Sequence, residues 1–84
     1  MVSPSKIYGR LVSNPSQLVT FRDFERLIKA CGFRHERTTG SHRHYIHPAV
    51  PQVLTVQPDP KDAKRYQVRR LLAIISEYNL SIEP

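Results

Sequence analysis

TFRDFERLIKACGF, residues 20–33, decides how the rest of the chain is read. Thr20 is a residue of N-cap type, whose side-chain oxygen can accept one of the N–H groups that the first turn of a helix leaves unpaired, and Asp23 three positions on completes something close to a capping box. Phe21, Phe24, Leu27, Ile28 and Cys31 then recur with helical period on one face. Gly32 follows the last of them, where a helix can close in the left-handed conformation that glycine reaches most cheaply. The stretch predicts an amphipathic helix with a defined start and stop, and past Gly32 the period changes.

Downstream, 33–38, 43–47 and 52–56 have no helical stripe and contain Tyr45, Ile46, Val53, Leu54 and Val56, so they are expected to be three short strands joined at Gly40 and around 48–51. Pro58 and Pro60 break the chain, and 62–78 resumes helical period with Val68, Leu71, Leu72, Ile75 and Tyr78 on one face. Upstream, Ile7, Tyr8, Leu11 and Val12 share a face of a short helix over 4–12, followed by a turn at Ser13-Asn14-Pro15-Ser16. The expected order is α-α-β-β-β-α. That is an α+β fold: a three-stranded antiparallel sheet with helices on one face and the other face left for function. Its core is expected to hold Phe24, Leu27, Ile28, Tyr45, Val53, Val68, Leu71, Leu72 and Ile75, with Phe21 toward the edge. One domain is expected over 1–84, with 1–19 an N-terminal extension and 20–78 the core.

Thirteen Lys and Arg against seven Asp and Glu leave a net charge of +6 on 84 residues. With a pI near 10.0, the expected partner is an anion, and nucleic acid is the commonest large one. The alternative is a basic surface that serves only solubility. A lone cysteine, Cys31, cannot form an internal disulfide and falls on an apolar helical position, where it reads as a small buried hydrophobe. The longest apolar run is Leu71 to Ile75, and the N-terminus has no stretch of signal-peptide length. A soluble, cytoplasmic protein with no membrane contact is expected.

Two groups of residues carry chemistry. Lys61, Lys64, Arg65, Arg69 and Arg70 crowd the start of the last helix against Asp62 alone, where backbone N–H groups already favour an anion; a phosphate backbone would satisfy both. A solvated helix face is the plainer alternative. The second group is GSHRHY, residues 40–45, with His35 and His47 nearby. Strand alternation places His42 and His44 on one face and His47 on the other, with His35 on a neighbouring strand, so the four do not have the spacing of a zinc site and no metal or cofactor is expected.

"FRDFERLIKACGF", "GSHRHYIHP", and "LTV" followed by a proline-containing loop and "KRYQVRRLLAII" together resemble the HicA family, the toxins of bacterial HicAB toxin–antitoxin systems. The resemblance covers about Thr20 to Tyr78. It implies a fold like that of double-stranded-RNA-binding domains, a ribosome-independent mRNA interferase activity, and inhibition by a HicB-like antitoxin. It also implies that His42, presented by Gly40 and Ser41, is the catalytic histidine. The segment before Thr20 lies outside the pattern.

The chemistry of such a reaction fits these residues. RNA cleavage without metal needs a base for the 2′-hydroxyl proton, an acid for the leaving oxygen, and cations for the phosphorane. Histidine titrates near neutral pH and can serve as base or acid. His42 is the expected proton-transfer group; His44 on the same face is a possible partner, Arg37, Arg43 or Lys64 could hold the reacting phosphate, and Arg65 and Arg69 could bind the RNA backbone. Two other readings stay open: a module that binds RNA without cutting it, and a protein-interaction domain whose charge meets an acidic partner.

Overall fold

The computed structural model describes residues 2–83. Its elements are α1 (Pro4–Ser13), α2 (Phe21–Ala30), β1 (Arg34–Thr39), β2 (His42–His47), β3 (Val50–Val56), β4 (Pro58–Asp59), β5 (Asp62–Ala63) and α3 (Arg65–Glu77). The three longer strands form an antiparallel sheet in the order β1-β2-β3. The class is α+β, with three helices and a three-stranded antiparallel sheet, as the period changes along the chain imply.

Local chemistry sets both ends of α2. The Thr20 hydroxyl accepts the Asp23 N–H at 3.2 Å. At the other end Gly32 has φ +98°, and the N–H groups of Gly32 and Phe33 reach back to the carbonyls of Lys29 and Ile28 at 3.0 and 3.4 Å. This double closure is a Schellman motif, with Phe33 and Ile28 both buried beside it. Asn79, at φ 51°, ends α3 the same way, with its own N–H on Ser76 and the Leu80 N–H on the Ile75 carbonyl.

The core lies between the sheet and α2 and α3: Phe24, Leu27, Ile28, Tyr45, Leu54, Val56 and Leu71 are fully buried. Cutting any of the leucines or Ile28 to alanine is expected to cost about 2–5 kcal/mol. Phe21 is buried as well, and Cys31 is too, with burial pushing its thiol up to about 11. α1 adds Ile7 and Leu11 to the same cluster.

Three expectations need correction. Val53 is 44% exposed, whereas Leu54 is fully buried; β3 begins at Val50 and contains Pro51, which an edge strand tolerates because one side of its backbone needs no ladder bond. Leu72 is only partly buried at the margin of the core. The last helix starts at Arg65 rather than at residue 62, because Asp62 and Ala63 form β5, paired with β4. That small hairpin is fastened to the start of α2: Phe21 N–H donates to the Lys61 carbonyl at 2.7 Å, and Ala63 N–H to the Val19 carbonyl at 2.9 Å.

Candidate nucleic-acid interface

The hairpin that carries His42 has a two-residue connection, Gly40-Ser41, between the paired residues Thr39 and His42. Gly40 has φ +60°, the first central position at which a type II′ turn takes glycine. The turn is exposed throughout. His42 therefore stands at the open mouth of β2, and unlike His35, His44 and His47 it makes no side-chain hydrogen bond among the described residues.

Beneath it, β2 is tied to α2 by a charged group that the sequence reading did not single out. Arg43 donates to Glu25 Oε2 at 2.8 Å, the Tyr45 hydroxyl donates to the same oxygen, and the Arg43 guanidinium lies over the Phe21 ring at 5.0 Å. Burial alone would raise the Glu25 carboxyl, but the Tyr45 hydroxyl and Arg43 outweigh it and hold the group below its ordinary value of 4.5. Burial, and after it the bond to Glu25, pushes the Tyr45 phenol up. The signal in the sequence was a carboxylate, Glu25, lying between Phe21 and Ile28 on the apolar stripe of α2, a place where it requires partners.

Arg43 and Tyr45 thus face the helices, and His42 and His44 face the other way. In register with His44 lie Arg37 on β1 and Thr55 on β3. A bulge at Glu36, between the pairs of His35 and Arg37, brings Arg37 onto this face. His44 Nδ1 is bonded to the Thr55 hydroxyl at 2.9 Å, while its Nε2 is shielded from solvent without a hydrogen-bond partner among the described residues.

His47 has a different task. Its Nδ1 accepts the Ala49 N–H at 2.9 Å and its Nε2 lies 3.0 Å from the Cys31 carbonyl. A carbonyl can only accept, so the proton sits on Nε2. The ring meets Phe33 edge-on, with centroids 5.1 Å apart. His35, by contrast, bonds Thr38 at 2.8 Å. No three His, Cys, Asp or Glu side chains among the described residues gather as metal ligands would.

Lys64, Arg65 and Arg69 line one shallow groove with Tyr66, Leu18, Asp59 and Asp62. Lys64 caps α3 without a side-chain bond, and the first turn carries no acid. Nothing in the chain's own first turn neutralises those cations. The structure therefore separates the expected site residues into a hairpin tip (Gly40, Ser41, His42), an open sheet face (Arg37, His44) and a basic groove (Lys64, Arg65, Arg69). Arg43 belongs to none of these, being engaged with Glu25 on the opposite face.

Fold and surface define a small basic α+β protein that offers, at a glycine turn, a histidine with no side-chain hydrogen bond among the described residues, and a helix start with more cations than carboxylates. A family model described as the HicA toxin of bacterial toxin–antitoxin systems matches residues 21–75. The chain belongs to this family, and so is the toxin half of a toxin–antitoxin pair with a cognate antitoxin. Comparison with curated proteins and with solved structures gives no match. α1 lies outside the matched residues, and no helix among the described residues is long and apolar enough to cross a membrane.

Proposed function

We propose that this toxin is an endoribonuclease that cleaves mRNA in the cytoplasm, independently of the ribosome, by general acid–base catalysis at His42 without a metal or cofactor. The observation that supports it most is the exposure of His42, at a Gly-Ser turn, in a chain of the HicA family. His42 takes the proton from a ribose 2′-hydroxyl as that oxygen attacks the adjacent phosphorus; the bond to the 5′-oxygen breaks, and the leaving oxygen is protonated. Arg37, on the same sheet face, is available to the phosphate, and Lys64, Arg65 and Arg69 to the backbone further along. His44 is the candidate second proton-transfer group; with Nδ1 on Thr55 it has only the shielded Nε2 to offer, and can serve only after a neighbouring side chain moves aside.

In the same reading the HicB-like antitoxin is acidic on its contact surface and silences the toxin by covering His42 and the basic groove. Purified protein is expected to cleave single-stranded RNA in EDTA. His42→Ala should lower the rate by about 10²–10⁴-fold and leave RNA affinity within a few-fold. Tight binding with no cleavage at any pH would make the protein an RNA-binding module instead, and loss of cleavage on chelation would call for a metal.

A further inference from the structure

Tyr66 is 58% exposed, yet it is not loosely held. Its hydroxyl accepts a hydrogen bond from the side-chain amide of Gln67 at 3.2 Å, and the same amide's oxygen takes the Gln57 N–H at 3.2 Å. Gln67 is itself buried, at 4% exposure. Gln57 is the residue after Val56, which pairs with Arg43; one residue further along each strand are His42 and Gln57. A chain of direct contacts therefore ties the Tyr66 ring to the end of the sheet from which His42 projects. Arg65 precedes Tyr66, Arg69 follows one helical turn later, and both line its groove with Lys64.

We propose that Tyr66 is a stacking platform for an unpaired nucleobase of single-stranded RNA, in the basic groove that holds the strand beyond the phosphate that His42 acts on. The inference rests on the RNA-cleaving reading above and adds to it a residue that selects strand form. An aromatic face fixed by its own hydroxyl loses little entropy when a base stacks on it, and the flanking guanidiniums meet the phosphates on either side. A duplex keeps its bases stacked internally, so it has none to offer Tyr66. A protein anchor would want an apolar pocket; here Leu18 and Ala63 are the aliphatic side chains of a groove with three cations and two carboxylates.

The test is equilibrium binding of a short 2′-O-methyl RNA, which lacks the nucleophilic hydroxyl and so is not consumed, to wild type, Tyr66→Phe, Tyr66→Leu and Tyr66→Ala. The Ala and Leu variants are expected to weaken single-strand binding by about tenfold and the Phe variant by only about two- to threefold, because the ring face remains and only the tie from its hydroxyl to Gln67 is lost. The dependence of affinity on salt should be unchanged in all three, since no phosphate contact is lost, whereas Arg69→Gln should make it shallower. Affinity for a duplex of the same sequence should be indifferent to residue 66. If Tyr66→Ala and Tyr66→Leu bind the single strand as wild type does, the platform is refuted while the RNA reading stands. If they keep RNA affinity and lose the antitoxin, the ring belongs to a protein interface and the proposal is equally refuted. A wild-type protein that neither binds nor cleaves RNA removes both.

Discussion

His42 and His47 begin and end the same strand, and the contrast between them is that of an exposed ring and a fully bonded one. His47 has both nitrogens bonded, its ring against Phe33, and Gly32 so close that a Cβ there would lie 2.9 Å from Nε2. It joins the end of α2 to the β2–β3 turn. His42 has a glycine turn before it, solvent around it and no side-chain hydrogen bond to the rest of the protein among the described residues. The same imidazole is a structural pin where the fold satisfies it and, in the proposed mechanism, a reagent where the fold leaves it unsatisfied. Between the two, Arg43 and Tyr45 hold the strand to Glu25, so the exposed end is anchored from beneath without being covered.

The largest effect is expected at the structural end. Gly32→Ala puts a side chain at φ +98° and against the His47 ring, and unfolding by denaturant should show a loss of about 3 kcal/mol. Wild-type stability there would mean that the pin is slack and the contrast overstated. Next comes the anchor: Glu25→Ala leaves the Tyr45 hydroxyl and the Arg43 guanidinium without their acceptor and should cost about 2 kcal/mol. The Glu25 carboxyl also sets an acid limit. Its folded value lies below its ordinary 4.5, so its contribution is present above that value and is lost as pH falls through the lower, folded one; Glu25→Gln should flatten stability against pH in that window. Smallest of all is the effect of His42→Gln on folding, expected within about 0.5 kcal/mol of wild type because nothing packs on it. A clear loss would show that the tip is structural after all.

Much of this was legible in the chain because local chemistry and global fold agree. Thr20, Asp23 and Gly32 mark α2 so plainly that both of its ends follow from side-chain and backbone requirements alone. The opposite facing of His42 and His47 followed from strand period. β3 misled: Val53-Leu54-Thr55-Val56 offers an apolar residue to either face, and its parity is settled by tertiary packing, with a register shift between Tyr45 and His47, rather than by the segment itself. The β4–β5 hairpin was unreadable for another reason. Strands of two residues have no period, and Asp62 beside several cations looks like the first turn of a helix, although its backbone pairs with Thr20 instead. Nor does any local pattern place Glu25 against Tyr45 and Arg43; that meeting exists only once the sheet lies on α2.

The central claim is that the unsatisfied histidine does the chemistry and the satisfied one does not. It is tested most directly by the RNA cleavage rate in EDTA, per folded molecule, of His42→Gln and His47→Gln beside wild type. The expected result is loss of about 10²–10⁴-fold in rate for His42→Gln with an unchanged melting temperature, and a lowered melting temperature for His47→Gln with near wild-type cleavage by the fraction that remains folded. Wild-type cleavage by His42→Gln, or abolition by His47→Gln in fully folded protein, would contradict it.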